Sequence, residues 1–204
     1  MQAIILAGGL GTRLRSVVSD RPKPMALVEG KPFLEYVLQG LKKSGIDDII
    51  FAVGYKGGMV EEYFGDGSRF GIRARYAYEE ELLGTAGAIK NAGKYVTDEQ
   101  FFVLNGDTFY QMDFGDLSRI QQEKNLEMAL VLRGVPDISR YGAARLTDGL
   151  LTAFNEKNGN TGAGTINGGV YLMKRALLDE IPEGKVSLEN ECIPRCCLLY
   201  TSDA

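Results

Sequence analysis

The chain has 204 residues, of which 45% are hydrophobic and 25% are charged, and its formal net charge is −4. This length suits one large domain with a substantial core, and the acidic balance argues against a protein that wraps nucleic acid. The chain contains no histidine, which excludes Ser–His and Cys–His nucleophiles and histidine metal sites. Any reaction must therefore depend on carboxylates, lysine, arginine, backbone groups and a hard cation.

The composition also indicates a cellular compartment. No apolar run approaches the length of a membrane span, and the N-terminus enters a strand without a visible signal peptide. The three cysteines, Cys192, Cys196 and Cys197, are clustered and odd in number, which fits neither a zinc site nor a secretory disulfide framework. We therefore expect a cytoplasmic protein with reduced thiols.

Apolar runs predict strands and helices that alternate along the first part of the chain. The predicted strands are Ala3–Leu6, Asp48–Val53, Arg73–Tyr78, Phe101–Leu104, Glu127–Arg133, Ala143–Leu146, Leu150–Phe154 and Gly169–Met173. The predicted helices are Phe33–Lys43, Lys56–Phe64, Thr85–Asn91 and Asp116–Lys124. The alternation up to residue 124 is typical of a doubly wound parallel sheet, and the later strands indicate an antiparallel extension.

The predicted fold is therefore a Rossmann-like α/β three-layer sandwich with a mostly parallel mixed sheet and a small antiparallel extension. We expect residues 1–190 to form one domain and residues 191–204 to form an atypical tail.

The first predicted strand leads into a glycine cluster, Gly8–Gly11, which is followed by Thr12 and Arg13. Glycines have no Cβ, so the backbone N–H groups of such a loop can converge on an anion, and the arginine fork suits phosphate oxygens. Leu14 stands where a dinucleotide-binding fingerprint needs its third glycine, and the chain has no Gly-Lys-Ser/Thr sequence. The loop therefore predicts a polyphosphate site of another kind, with a tight glycine-rich turn as the alternative.

A basic cluster continues to Lys23, which stands between Pro22 and Pro24. The two prolines restrict the backbone and so favour a fixed phosphate contact, although a stiff surface turn explains the same sequence. Because the chain is acidic overall, the cluster suggests a small anionic ligand, and a solvated basic loop is the alternative.

Asp107 follows the strand Phe101–Leu104 and the pair Asn105-Gly106. In open α/β sheets, ligands lie beyond the carboxyl ends of the strands. A carboxylate there suits Mg²⁺, which takes one or two carboxylates and completes its shell with water and phosphate oxygens. A turn aspartate that caps its own backbone is the alternative.

Further polar or small residues stand at predicted element ends. Gly84–Ala88 opens a helix after the acidic stretch Glu79–Glu81, so a flat ring could lie on the backbone while a carboxylate binds a base edge. A solvated acidic loop beside a closely packed helix is the alternative. Glu156-Lys157 and Asn167–Tyr171 provide polar groups that suit sugar hydroxyls and a phosphate.

Taken together, these segments resemble the nucleotidyltransferase family that joins sugar 1-phosphates to nucleoside triphosphates. They occur in family order over residues 2 to about 190, and the set is specific although each piece is weak alone. With its short loops and Arg140-Tyr141-Gly142, the chain is similar to the branch of D-glycero-D-manno-heptose 1-phosphate guanylyltransferases, which are near relatives of mannose 1-phosphate guanylyltransferases. The matching segments are Leu6–Leu14, Pro22–Met25, Leu83–Ala88, Asn105–Asp107, Glu156-Lys157 and Asn167–Tyr171.

The resemblance implies a role for each matching residue. Arg13, Lys23 and Asp107 are implied as catalytic residues. The two basic side chains neutralise charge around the α-phosphate and the leaving pyrophosphate, and Asp107 holds Mg²⁺. The residues implied to face the sugar and its phosphate are Gly142, Glu156, Lys157 and Asn167. The residues implied to bind the nucleotide are Leu6, Ala7, Gly8, Gly9, Gly11, Thr12, Arg13, Glu79, Gly84, Thr85 and Asn105.

The resemblance also implies the reaction, in which a nucleotidyl group, expected to be guanylyl, moves from a nucleoside triphosphate to a sugar 1-phosphate. The products are pyrophosphate and an NDP-sugar, expected to be GDP-D-glycero-D-manno-heptose. A sugar phosphate is already a charged nucleophile, since its second pKa is about 6, so the absence of histidine is no obstacle. One alternative is mannose or glucose 1-phosphate with GTP, UTP, CTP or dTTP, and another is a non-catalytic nucleotide-sensing domain. No nucleic acid or membrane partner is expected.

The C-terminal sequence departs from the family pattern. Relatives continue beyond Ser187–Glu189 into a strand with an aromatic-x-Asp-Ile-Gly motif, whose aspartate is the usual second Mg²⁺ ligand. This chain instead ends in Cys192–Ala204, where Asp203 lacks the surrounding motif. We expect a truncated or frameshifted reading frame, with a divergent natural tail as the alternative. Weak Mg²⁺ binding, nucleotide binding with low turnover, and aggregation through an exposed edge would follow.

Overall fold

The computed structural model describes residues 1–9, 20–147, 150–155 and 161–193. The strands in these ranges are β1 (Gln2–Leu6), β2 (Leu27–Val28), β3 (Lys31–Pro32), β4 (Asp48–Val53), β5 (Arg73–Tyr78), β6 (Gln100–Asn105), β7 (Met128–Val135), β8 (Ala143–Thr147), β9 (Leu150–Asn155) and β10 (Gly164–Lys174). The helices are α1 (Phe33–Lys43), α2 (Gly57–Phe64), α3 (Gly84–Gly93), α4 (Phe114–Glu123) and α5 (Leu177–Glu180). Short 3₁₀ turns occur at Lys23–Met25 and Ser68–Phe70, and a π-helical turn at Leu188–Cys192.

One mixed sheet organises the molecule. Its strand order is β5-β4-β1-β6-β10-β8-β9, and β7 also pairs with β10. The strands β5, β4, β1 and β6 are mutually parallel, whereas β10 is antiparallel to β6, β7 and β8, and β8 is antiparallel to β9. The predicted parallel sheet with an antiparallel extension is confirmed, and a separate hairpin of β2 and β3 accompanies it.

Successive residues of a strand point to opposite faces of the sheet, and each face has its own core. Ala3 and Ile5 of β1 belong to a buried cluster with α1, α2 and α4, whereas Ile4 between them belongs to a cluster with α3 and α5. In β4, Phe51 faces the first cluster and Ile50 faces the second. The sheet is thus the middle layer of a three-layer sandwich, as predicted.

Helix α1 shows how the local sequence produces this layering. Leu34, Val37, Leu38 and Leu41 are buried and recur at the spacing of one helix face. The helix ends before Gly45, which has a φ of 74° and whose N–H donates to the Lys42 carbonyl. A glycine accepts this left-handed conformation without a Cβ penalty, so the pattern and the stop signal together define the helix.

The structure departs from the sequence prediction most clearly at β10. This strand begins at Gly164, earlier than the predicted start at Gly169, and its register with β7 shifts between Asn167 and Tyr171. Gly169 has a φ of 72°, which is typical of a glycine in an irregular strand. The predicted strand was too short because the glycines interrupt the apolar alternation without ending the strand.

The short elements β2, β3 and α5 were not predicted, because they are too short to show a periodic pattern.

Among the described residues, no helix combines the length and the apolar character that crossing a membrane requires.

Candidate active site

A cleft of about 330 Å³ opens at the carboxyl ends of β1 and β6. The sheet order reverses at this point, since β4 lies on one side of β1 and β6 on the other, and ligands of open α/β sheets bind at such positions. The lining residues are Leu6, Gly8, Gly9, Lys23, Pro24, Glu79, Leu82, Gly84, Thr85, Ala88, Asn105 and Asp107. The cleft therefore brings together residues predicted from four separate segments of the sequence.

Backbone hydrogen bonds hold the first segments of the cleft in place. The Ala7 N–H donates to the Ala52 carbonyl at 2.8 Å, and the Gly106 N–H donates to the Leu6 carbonyl at 2.9 Å. A Cβ on Gly106 would lie 2.8 Å from the Leu6 carbonyl oxygen, so only glycine allows this approach of the two strand ends. The approach places Asp107 beside the end of β1.

Lys23 and Asp107 form an ion pair across the cleft. Lys23 belongs to the turn Lys23–Met25, which is anchored by the buried Pro24 and Met25. Each charged side chain is 37% exposed, so both groups remain accessible to a ligand. The turn therefore holds the backbone of Lys23 beside Asp107, and the phosphate contact of this lysine stays a prediction.

Glu79 follows β5 and turns its half-buried carboxylate toward the end of β1. Its Oε2 accepts a hydrogen bond from the Leu83 N–H at 3.2 Å, and a Cβ on Gly8 would overlap Oε1. Burial raises the pKa of Glu79, and the hydrogen bond from Leu83 opposes this effect. The site thus contains a partly desolvated carboxylate that rests against a glycine backbone.

The start of α3 forms another wall of the cleft. The N–H groups of Ala86 and Gly87 donate to the Val186 carbonyl, at 3.0 and 3.4 Å. A Cβ on Gly84 would lie 2.5 Å from the same oxygen, and Gly84 has a φ of 69°. The small residues of this segment therefore admit the 184–188 segment, which is the closely packed alternative considered from the sequence, and Thr85 remains available to the cleft.

The predicted sugar-binding residues that the structure describes lie beside this cleft rather than in its lining. Asn167 of β10 accepts the Gly169 N–H through Oδ1 at 2.9 Å, and its Nδ2 donates to the Tyr171 hydroxyl at 2.5 Å. Gly142 immediately precedes Ala143, whose register partner in β10 is Ile166. Gly142 and Asn167 are therefore close neighbours in the sheet.

Asn105 and Ala7 complete the described set of predicted residues. Asn105 lines the cleft, and its side chain lies against Gly169, where a Cβ would be 2.5 Å from Nδ2. Ala7 is buried beneath the cleft, with a relative exposure of 1%. Its backbone N–H bonds to β4, and its role in nucleotide binding stays a prediction.

Several predicted positions lie outside the described residues. They are Gly11, Thr12 and Arg13 of the glycine-rich loop, Glu156 and Lys157 after β9, and the tail that includes Cys196, Cys197 and Asp203. Their roles stay predictions.

The donor set of the cleft suits a hard cation better than zinc. Among the described residues, no group of three or more histidine, cysteine, aspartate or glutamate side chains is arranged to hold a metal ion. Asp107 offers carboxylate oxygens in an open cleft, and Mg²⁺ commonly takes one or two protein carboxylates and leaves its other positions to water and phosphate. The described residues therefore fit a metal that arrives with a phosphate ligand.

Sequence patterns assigned no role to Glu189 or Leu82, and they included Ala88 only as part of the small-residue segment Gly84–Ala88. Leu82 and Ala88 line the cleft, and Ala88 follows Gly84 by four positions, which places both on one face of α3. Glu189 accepts a hydrogen bond from the Thr85 hydroxyl at 2.9 Å. This contact joins residues far apart in the chain, so no local pattern could have revealed it.

Comparisons with known proteins identify the family of the chain. Residues 2–195 match the family described as Nucleotidyl transferase. The chain is 42% identical to the D-glycero-alpha-D-manno-heptose 1-phosphate guanylyltransferase of Aneurinibacillus thermoaerophilus, over 96% of this chain and 84% of that protein. It is 45% identical to the Campylobacter jejuni protein of the same name, over 93% of this chain and 84% of that protein.

A solved structure shows the same fold. The crystal structure of HddC from Yersinia pseudotuberculosis matches with a TM-score of 0.86 and 34% identity, over 98% of this chain and 89% of that chain. The same protein complexed with GMP-PN matches with a TM-score of 0.85. The predictions of fold and family are confirmed, and the chain belongs to the nucleotidyl transferase family.

Proposed function

We propose that this protein transfers a guanylyl group from GTP to D-glycero-D-manno-heptose 1-phosphate and releases pyrophosphate. The observation that carries the proposal is the cleft in which Lys23, Asp107 and Glu79 converge on the glycine backbone after β1. The names of the two relatives described above support the heptose and the guanylyl group, and the GMP-PN complex of HddC supports a nucleotide ligand.

The reaction joins two charged phosphates. A phosphate oxygen of the sugar 1-phosphate attacks the α-phosphorus of GTP, a new P–O bond forms, and the bond from the α-phosphorus to the bridging oxygen breaks as pyrophosphate leaves. The nucleophile is already ionised near neutral pH, because its second pKa is about 6. The protein must therefore position the two substrates in line and offset their negative charge.

We assign the charge compensation to basic side chains and a metal. Lys23 and Arg13 contact the α-phosphate and the departing pyrophosphate, and Asp107 would hold Mg²⁺. When bound, Mg²⁺ supplies additional positive charge to the phosphates. The ion pair of Lys23 with Asp107 supports this assignment, because it brings a cation and a carboxylate together in the lining of the cleft.

Glu79 provides the basis for guanine selection. Guanine carries two donors on one edge, N1–H and the exocyclic amine, and an ionised carboxylate can accept both. Adenine and cytosine lack this pair of donors. The partial burial of Glu79 supports the role, since hydrogen bonds to a carboxylate are stronger away from water.

We assign the sugar and its phosphate to the neighbouring residues Gly142, Glu156, Lys157 and Asn167, and the ribose and triphosphate to the segments Leu6–Arg13 and Gly84–Thr85 and to Asn105. We propose that residues 1–190 form the nucleotidyltransferase domain, and Ile193 beyond them is 2% exposed and packs in the same core. We expect the enzyme in the cytoplasm, where nucleoside triphosphates are available and a free thiol such as the buried Cys192 stays reduced.

A substrate panel tests the proposal. GTP, UTP, CTP and dTTP are each mixed with heptose, mannose or glucose 1-phosphate and Mg²⁺, and pyrophosphate release is measured. The highest kcat/KM is expected for GTP with the heptose 1-phosphate. If mannose or glucose 1-phosphate is turned over faster than the heptose 1-phosphate, that sugar is the substrate instead. If GTP binds but no pair of substrates releases pyrophosphate, the protein is a nucleotide-sensing domain.

A further inference from the structure

A chain of hydrogen bonds runs from the cleft to β10 through Glu189. The Thr85 hydroxyl donates to Glu189 Oε2 at 2.9 Å, and the Tyr171 hydroxyl donates to Glu189 Oε1 at 3.1 Å. Asn167 Nδ2 in turn donates to the Tyr171 hydroxyl at 2.5 Å. Both oxygens of one carboxylate are therefore used to join a cleft-lining residue to the strand next to the cleft.

The carboxylate of Glu189 determines which groups in this series of hydrogen bonds donate and which accept. An ionised carboxylate only accepts hydrogen bonds, so both hydroxyls must point their hydrogens at Glu189. The Thr85 oxygen also accepts the Leu188 N–H at 2.7 Å. The Thr85 hydroxyl has now used its hydrogen and one of its two lone pairs. Only one lone pair is left for a ligand, so Thr85 can only accept a hydrogen bond from the cleft.

The other end of this series of hydrogen bonds, at Asn167, donates a hydrogen bond where Thr85 accepts one. The Tyr171 hydrogen is committed to Glu189, so its oxygen accepts from the Asn167 amide. Asn167 Oδ1 accepts the Gly169 N–H, which fixes the orientation of the amide group. The second Nδ2 hydrogen of Asn167 is left over, and Asn167 is thus a donor toward a ligand.

The packing around the chain keeps these orientations in place. Tyr171 is fully buried, and its burial, together with the nearby charge of Glu189, raises the pKa of its hydroxyl far above the ordinary value. Glu189 lies on the turn Leu188–Cys192, which the backbone bonds of Val186 attach to the start of α3. The irregular register of β10 between Asn167 and Tyr171 brings these two side chains together.

We propose that Glu189 is a positioning residue that sets the hydrogen-bonding polarity of both sides of the site, Thr85 as an acceptor and Asn167 as a donor. The identity of the two ligands rests on the proposed function. Thr85 then binds a hydroxyl or N–H donor of the nucleotide, and Asn167 donates to a hydroxyl or phosphate oxygen of the sugar 1-phosphate. Glu189 couples the two subsites without contacting either substrate.

Replacement of Glu189 by glutamine tests the polarity while preserving the side-chain size. The Ser187 hydroxyl also donates to Oε2, at 3.3 Å. A glutamine donates on one side, so either Tyr171 or the pair Thr85 and Ser187 must change the direction of its hydrogen bond. If the Thr85 hydroxyl accepts from the glutamine instead of donating to it, its hydrogen points to the cleft. If the Tyr171 hydroxyl accepts from the glutamine, the Asn167 amide must rotate to accept from Tyr171, and it then loses its hydrogen bond from the Gly169 N–H.

The expected result for Glu189→Gln is a rise of about tenfold in KM for GTP or for the sugar 1-phosphate, with kcat changed by less than about threefold. The matched control is Glu191→Gln, an identical change in the same turn at a carboxylate that accepts the Ser187 N–H at 2.8 Å. The control should keep both KM values. Unchanged KM values in Glu189→Gln, or a loss confined to kcat, would overturn the proposal.

A double substitution shows whether Glu189 acts through Thr85. Thr85→Val removes the acceptor, so adding Glu189→Gln to that variant should weaken GTP binding by less than about twofold more. GTP binding is measured by calorimetry in the absence of the sugar 1-phosphate. Where Glu189→Gln alone weakens GTP binding, full additivity of the two substitutions would count against the proposed coupling.

These measurements separate the inference from the proposed function. A wild-type protein that binds GTP but releases no pyrophosphate would contradict the function, and calorimetry would still test Glu189. If thermal melting shows that Glu189→Gln does not fold, Tyr171→Phe replaces it. That variant should raise the KM for the sugar 1-phosphate and leave GTP affinity unchanged, and the reverse pattern would refute the inference.

Discussion

The Lys23 ammonium group forms an ion pair with the Asp107 carboxylate, although 84 positions separate the two residues in the chain. The pair compensates the aspartate charge in the free protein and keeps the lysine at the place where we expect phosphates. Because both side chains are 37% exposed, their attraction adds little to the stability of the fold. Substitutions at either residue should therefore act on function.

Asp107→Asn should reduce pyrophosphate release by at least about 100-fold, because a neutral amide replaces the carboxylate proposed to hold Mg²⁺. The measurement is turnover across a Mg²⁺ titration. Asp116→Asn, an equivalent change at an exposed residue of α4, serves as the control. Wild-type turnover with an unchanged Mg²⁺ dependence in Asp107→Asn would exclude the metal assignment.

Lys23→Ala and Arg13→Ala should each lower kcat by about tenfold or more while raising KM by less, since both charges are proposed to act as pyrophosphate departs. Steady-state kinetics with GTP and the heptose 1-phosphate measure the two parameters. Lys31→Ala removes an exposed lysine from an ion pair with Glu35 and should leave both unchanged. A variant that altered KM alone would show that its side chain serves ground-state binding.

Much of the sheet could be predicted from the sequence, because its pattern is local. The bounds of β4, β5 and α1 match the predictions, since each segment shows a continuous or periodic apolar run that ends at a polar residue or a glycine. The cleft could be predicted as well. Its residues follow strand ends, and parallel strands bring their carboxyl ends to one edge of a sheet.

The remaining features depend on contacts that no local pattern reveals. Thr85 and Glu189 are 104 positions apart, and the start of β10 depends on its pairing with β7 rather than on its own alternation. The small residues of α3 illustrate the same difficulty. A glycine such as Gly87 indicates a close approach, but only the fold shows that Gly184 is the partner.

GTP affinity should fall as the pH decreases through the pKa of Glu79, because only the ionised carboxylate accepts both guanine donors. Burial raises this pKa above its usual value of 4.5, so the loss should begin at a higher pH than for an ordinary glutamate. Calorimetric titrations with GTP and ITP at a series of pH values measure this loss of affinity. ITP lacks the exocyclic amine and should bind more weakly and with a smaller pH dependence. Tighter binding of UTP or dTTP than of GTP would contradict the role of Glu79.

The raised pKa of Glu79 affects folding stability in the opposite direction from GTP affinity, because stability increases as the pH falls. The folded state binds the proton of the Glu79 carboxyl group more tightly than the unfolded state does. The resulting stability is fully present below the unfolded-state pKa and is lost as the pH rises through the folded-state pKa.

Asp48→Asn should lower the free energy of unfolding by about 2 kcal/mol at neutral pH. Burial would by itself raise the pKa of Asp48, but hydrogen bonds from Arg75 and Arg73 outweigh it and hold the pKa below the usual 3.8. This contribution is present above the unfolded-state pKa and is lost as the pH falls through the lowered folded-state value. Urea unfolding should therefore show a difference between variant and wild type that narrows below pH 3.8. Asp47→Asn, at an exposed neighbour, is the control, and an equal loss there would refute the explanation.

Gly8→Ala should weaken GTP binding by about tenfold or more, whereas Gly58→Ala should leave it nearly unchanged, since a lost charged hydrogen bond weakens binding by this order. A Cβ on Gly8 would overlap Oε1 of Glu79 and lie 3.1 Å from the Gly54 nitrogen, whereas a Cβ on Gly58 meets no atom within 4 Å. Gly58 is an exposed residue of α2 outside the lining of the cleft, so the pair separates displacement of Glu79 from the general effect of a glycine-to-alanine change. Calorimetric GTP titration of the two variants, with thermal melting to establish folding, measures the difference. Equal affinities would show that the base does not depend on the position of Glu79, because the carboxylate must move to admit the Gly8 methyl group.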